Sequence, residues 1–133
     1  MNILLIEDDE IEVMKLERTL TKLQLKHNLS KAKNGEQALE ILRASSKLPD
    51  IILLDLNMPR MSGTEFLQIL KEDEFLQYLP TIILTTSENR ADLLKCYQIG
   101  VAGYIIKPLK YEDYQLKLQK VLEYWDINQL VKG

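Results

Sequence analysis

Short apolar runs alternate with helical patterns along the whole chain, and that alternation constrains the fold more than any other feature. Ile3–Ile6, Leu29–Ala32, Ile51–Leu54, Thr81–Leu84 and Tyr104–Ile106 read as strands. Ile51 to Leu54 holds no polar residue at all, which is the pattern of a strand buried on both faces of a sheet. Leu29–Ala32 is the most polar of the runs and is expected at an edge or half exposed. Between the strands, apolar residues recur at helical spacing. They are Ile11, Met14, Leu16, Leu20 and Leu23, then Ala38, Leu39, Ile41 and Leu42, then Phe66, Leu67, Ile69 and Leu70. Ala91, Leu94 and Tyr97 follow, and Tyr114, Leu118, Val121, Leu122 and Trp125 lie on one side of a final helix.

Repeated strand–helix units imply an α/β fold, a doubly wound five-stranded parallel sheet covered by helices on both faces. Right-handed crossovers leave few topologies, and the flavodoxin-like strand order 2-1-3-4-5 is expected. With 133 residues the chain is read as one domain over residues 1–126, followed by a tail, 127–133, able to extend the last helix.

Composition excludes several classes. A net charge of −3 and the lack of a basic stripe argue against nucleic acid as a partner. Lys15, Lys22, Lys26, Lys31 and Lys33 are interleaved with apolar residues, the pattern of solvated helix and strand faces. One cysteine, Cys96, and one histidine, His27, rule out an internal disulfide and a metal centre built from those residues. Cys96 reads as a packing residue and His27 as a surface residue. No run is long enough to span a bilayer, and Met1-Asn2 leads straight into the first strand, so a cytoplasmic protein with no membrane partner is expected.

In an open parallel sheet the site forms beyond the carboxyl ends of the strands. The first strand ends in Glu7-Asp8-Asp9 and the third in Asp55, and the expected order makes those strands neighbours. Carboxylates crowded together repel one another unless a cation joins them, and an all-oxygen set suits a hard ion such as Mg²⁺. Asp9 and Glu10 fit a helix N-terminus better. The fourth strand ends in Thr85-Thr86-Ser87, where a hydroxyl can donate to an oxygen held at the rim, and Ser87 or Asn89 can cap the helix that follows. The fifth ends in Lys107-Pro108, which brings a cation. A cis bond to Pro108 would aim that lysine inward, and the sequence is compatible with either isomer. A carboxylate nucleophile, a cation site, a hydroxyl and an amine are the parts that phosphoryl transfer to Asp55 requires.

These segments resemble the receiver domain of two-component response regulators, of the single-domain, CheY-like kind. The residues carrying the resemblance are ILLIEDDE, NGEQAL, DLNMPRMSG, ILTTSE and GVAGYIIKPL, so that it spans residues 2 to 125. It implies that Asp55 is the phosphoacceptor and that Mg²⁺ is held by Asp8, Asp55 and the backbone carbonyl of Asn57, with Glu7 acting largely through water. It also implies that Thr85 is the switch hydroxyl, that Lys107 binds the phosphoryl group, and that Tyr104 is the aromatic whose rotamer follows the hydroxyl. Asn57 and Ser87 match variable positions beside the attacking water and so tune dephosphorylation. Two positions depart from the commoner pattern. Glu7 stands where an aspartate is usual, and Thr86 stands where alanine or glycine is frequent, so that Thr86 is expected to narrow access to the phosphoryl group.

The resemblance further implies a histidine kinase or phosphotransfer protein as donor, and a downstream protein bound through helix four, strand five and helix five. Tyr97, Tyr111, Tyr114, Tyr124 and Trp125 concentrate aromatics in that last third; Tyr114 and Trp125 are expected in the core, and Tyr111 at the surface. The chain stops at Gly133, so it is expected to act without an output domain, with homodimerisation through the last helix as an added expectation. The protein is expected to be no enzyme beyond its own phosphorylation and dephosphorylation. Three other readings are weighed. A pseudo-receiver, a binding module that is never phosphorylated, is opposed by the intact Asp8, Asp55, Thr85 and Lys107. A haloacid-dehalogenase-type phosphatase is opposed by the missing second acid, since position 57 is Asn. A flavodoxin-like cofactor binder would need a phosphate-cradling first loop, which is missing here.

Overall fold

The computed structural model describes residues 1–131. Five strands, β1 (Asn2–Ile6), β2 (Asn28–Ala32), β3 (Ile51–Leu54), β4 (Thr81–Thr85) and β5 (Gly103–Ile106), form one parallel sheet in the order β2-β1-β3-β4-β5. The helices are α1 (Glu10–Lys22), α2 (Gly35–Ala44), α3 (Gly63–Glu72), α4 (Arg90–Ile99) and α5 (Tyr111–Asp126). This is the doubly wound order expected from the sequence. Register is regular: Leu4 pairs with Ile52, and Leu54 with Ile83.

Side chains alternate across the sheet, so each strand feeds two cores. Leu4, Ile6, Ile52, Leu54 and Ile83 pack against Leu39, Phe66, Leu70 and Cys96 of α2, α3 and α4. Ile3, Leu5, Ile51, Leu53, Ile82 and Leu84 pack against Leu16, Leu20, Tyr114 and Leu118 of α1 and α5. Because both faces are covered, β3 at the centre of the sheet is apolar at every position. β2 lies at the edge with its middle residues exposed, which explains its polar composition.

Helix starts are fixed by side chains that accept from orphan amides. Asp9 caps α1, Asn34 caps α2, Ser62 caps α3 and Asn89 caps α4. Lys110, which precedes α5, makes no side-chain cap.

Several residues lie differently from their sequence reading. Ile11 and Met14 are exposed, 74% and 58%; α1 buries Leu16 and Leu20 as expected, and Thr19 in addition. Thr19 tolerates burial because its hydroxyl donates to the Lys15 carbonyl and meets the Tyr111 hydroxyl. Tyr111, expected at the surface, is accordingly half buried against the α1–α5 core. α4 buries a single residue, Cys96. α5 ends at Asp126, so residues 127–131 of the tail do not extend it, and residues 132 and 133 lie outside the described set.

Candidate functional site

Four strands deliver the site from one end of the sheet. Glu7, Asp55 and Lys107 each follow the last residue of a strand, and each amide is still held by the neighbouring strand. Glu7 N donates to the Ala32 carbonyl at 3.0 Å, Asp55 N to Ile6 at 3.0 Å, and Lys107 N to Thr85 at 2.7 Å. Thr85 ends β4 itself and is fully buried. The side chains are thus carried on paired backbone rather than on free loop, which fixes their directions.

Carboxylate oxygens of Glu7, Asp8 and Asp55 come within 4.8 Å of one another. Glu7 and Asp55 are buried, and Asp8 is exposed at the mouth. Burial, with help from the Asp55 charge, pushes Glu7 up to about 7 despite its contacts with Lys107. Asp55 is likewise raised by burial and by Asp8, while Lys107 and hydrogen bonds with Glu7 and Thr85 pull the other way. Hard oxygen donors within one ion's reach, two of them holding protons above the usual carboxylate range, fit a divalent cation. Such an ion would relieve the repulsion that raises both groups.

Lys107 supplies the positive charge present in the chain itself. Its Nζ is 2.8 Å from Glu7 Oε1 and 3.4 Å from Glu12 Oε2. Burial works against its charge, but Glu7, Glu12 and Asp55 together outweigh that and hold its pKa above the ordinary lysine value. The lysine faces inward with every described peptide bond trans, so its aim does not depend on a cis bond to Pro108.

The Thr85 hydroxyl helps to hold the Asp55 carboxyl down, and its oxygen accepts from the Ser87 amide at 3.2 Å. The Ser87 hydroxyl donates to Asp92 at 2.8 Å, which ties the β4–α4 loop to the first turn of α4. Tyr104, half buried on β5, donates its hydroxyl to the Ser87 carbonyl at 3.0 Å. Thr85, Ser87 and Tyr104 therefore form a bonded chain from the carboxylate cluster to the surface of β5 and α4. Asn57 and Thr86 are exposed beside the cluster, on the β3–α3 and β4–α4 loops.

Two participants escaped the sequence reading. Glu12 lies on α1, and no local pattern marks it, because only the fold brings the first turn of α1 within reach of the Lys107 side chain. Gly63 is the other. A Cβ there would stand 2.7 Å from both the Asp55 carbonyl oxygen and the Leu56 Cα, so the start of α3 can approach the Asp55 backbone only as glycine. Its amide donates to the Leu56 carbonyl at 3.0 Å, which fastens the loop under the acid.

A doubly wound sheet with buried acids, a hydroxyl and an amine at the carboxyl ends of β1, β3, β4 and β5 defines a receiver-type signalling module. The chain belongs to the response regulator receiver domain family, whose model matches residues 3–119. A protein of Methanothrix harundinacea named "Probable methanogenesis regulatory protein FilR2" is 35% identical over 127 residues, covering 92% of this chain and 82% of that protein. Response regulator Rcp1 of Synechocystis sp. is 30% identical over 128 residues, 92% of this chain and 87% of Rcp1. Among solved structures, the phosphorylated cyanobacterial phytochrome response regulator RcpA superposes with a TM-score of 0.90 at 30% identity, covering 97% of this chain and 96% of RcpA. The Mn²⁺-bound form of Rcp1 gives 0.88 at 29% identity, with 98% of each chain covered. Receiver domains are in general signalling modules rather than enzymes. Among the described residues no helix is long and apolar enough to cross a membrane.

Proposed function

We propose that this chain is a response regulator that takes a phosphoryl group on Asp55 from a histidine kinase or phosphotransfer protein, and then alters a protein-binding face made by α4, β5 and α5. The observation that carries this reading is the convergence of Glu7, Asp8 and Asp55 with Thr85 and Lys107 around one carboxylate at the mouth of the sheet. A carboxylate oxygen of Asp55 forms a bond to phosphorus while the P–N bond of a donor phosphohistidine breaks, its electron pair leaving on the imidazole nitrogen. A divalent cation held by Glu7, Asp8, Asp55 and the Asn57 carbonyl would neutralise charge on the phosphoryl oxygens, and Mg²⁺ suits such donors. The phosphorylated RcpA and Mn²⁺-bound Rcp1 structures support extending both features to this chain.

Lys107 gives a phosphoryl oxygen a cation, and the Thr85 hydroxyl, at the same rim, gives it a donor. Pro108 constrains the backbone after that lysine. Movement of Thr85 is felt by Ser87, whose amide it holds, and by Tyr104, which holds the Ser87 carbonyl. α4 suits a moving element, because it is anchored by one buried residue. Leu94 and Tyr97 stay exposed on it as contact surface for a downstream protein. Thr86 and Ser87, with Asn57, flank the path of a hydrolytic water and so set the lifetime of the acyl phosphate.

Intact mass after incubation with acetyl phosphate and Mg²⁺ tests this function. One labile phosphoryl group is expected, absent from Asp55→Asn and from an EDTA control. Equal labelling of Asp55→Asn would overturn the assignment, and no labelling of the native chain by any donor, kinase included, would favour a non-phosphorylated pseudo-receiver.

A further inference from the structure

Lys107 is the most demanding group in the site, since it is an ammonium only 6% exposed. It can stay charged only while a carboxylate faces it, because a buried charge stripped of its partner is strongly destabilising. Its nearest partner, Glu7, is also one of the three acids that converge as a cation site. The same carboxylate is therefore wanted by two cations.

Glu12 resolves that conflict. It occupies the first turn of α1, and its Oε2 already lies 3.4 Å from Lys107 Nζ. That oxygen is shut off from solvent yet makes no hydrogen bond, so its capacity to accept is unused. Its neighbours Glu10 and Ile11 are exposed and turn away from the site. The acids facing Lys107 are Glu7, Glu12 and Asp55. Of these, Glu12 alone stands outside the converging acid cluster.

We infer that Glu12 is a positioning residue, a second seat for the Lys107 ammonium that lets Glu7 serve a divalent cation without leaving the lysine unpaired. This rests on the reading of Glu7, Asp8 and Asp55 as cation ligands. It asks for no movement of α1, only a short shift of a lysine head between two carboxylates that it touches already. The lysine stays an ammonium in either seat.

Mg²⁺ titration of the full chain by calorimetry tests this with no phosphoryl donor present, and thermal melts confirm that each variant is folded. Glu12→Gln is expected to raise the Kd for Mg²⁺ about tenfold, the loss of one charge-assisted contact, while Glu10→Gln on the same turn leaves it unchanged. In a Lys107→Met background the Glu12→Gln effect is expected to vanish, since Glu12 acts through the lysine. A Kd for Glu12→Gln within about twofold of the native value, or an effect that persists without the lysine, overturns the inference alone. Absence of Mg²⁺ binding by the native chain, or binding unaffected by Asp8→Asn, overturns the cation-site reading and the inference with it.

Discussion

Glu7 and Lys107 lie 100 residues apart in the chain and form a buried ion pair at 2.8 Å, with side chains 4% and 6% exposed. Such a pair is costly to bury and far more costly to break on one side. Lys107→Met leaves Glu7, Asp8 and Asp55 crowded with no internal cation. Chemical denaturation in EDTA near neutral pH is expected to show a loss of about 3 kcal/mol, most of it recovered on adding Mg²⁺. Equal losses with and without Mg²⁺ would mean that lysine and metal do not serve the same acids.

The raised Glu7 carboxyl makes metal binding depend on pH. Its folded value near 7 exceeds the ordinary 4.5, so the folded state binds this proton more tightly than the unfolded chain does. Its contribution to stability is therefore full below 4.5 and is lost as pH rises through about 7. Mg²⁺ competes with that proton. The rise in Tm on adding saturating Mg²⁺ is expected to be larger at about pH 8 than at about pH 6, as differential scanning fluorimetry would show.

Gly63 holds the start of α3 against the Asp55 backbone, where even a methyl group would meet the carbonyl oxygen at 2.7 Å. The obstruction is backbone, so it cannot rotate away. Gly63→Ala is expected to cost about 2 kcal/mol in urea unfolding and to weaken Mg²⁺ binding by displacing Asp55. Gly103→Ala is the useful control, because a Cβ there meets only Ile82 side-chain carbons at 3.6 Å or more.

Thr86 is exposed beside the buried Thr85, and in the proposed function it flanks the path of water to a phosphoryl group on Asp55. Thr86→Ala is expected to shorten the lifetime of the acyl phosphate severalfold while leaving the melting temperature unchanged. Decay of the phosphorylated form, followed by intact mass after removal of the donor, measures it.

The strands were legible because burial on two faces demands unbroken apolar runs, and Ile51 to Leu54 shows that demand in its purest form. Once the strands were placed, the parallel order brought Asp8, Asp55, Thr85 and Lys107 to one rim without further information. α1 was read less well. Periodicity counts apolar residues: it found Leu16 and Leu20, but it also took in the exposed Ile11 and Met14 and passed over the buried Thr19. A threonine that satisfies its own hydroxyl carries no hydrophobic signal. Glu12 left no signal for a different reason: it is an ordinary acid in a helix first turn, where acids are common, and only the folded chain brings it to Lys107. Gly63 stood inside a recognised motif, but the closeness of α3 to the Asp55 carbonyl is a distance, and a sequence does not display distances.

The central claim is that Asp55 is the phosphoacceptor. Borohydride reduces an aspartyl phosphate to homoserine, so treatment of the acetyl phosphate-reacted protein followed by peptide mapping reads the acceptor directly. The account predicts homoserine at position 55 alone, and none when Mg²⁺ is removed. Homoserine at position 8 or elsewhere, or a phosphoryl group that resists borohydride, would contradict it.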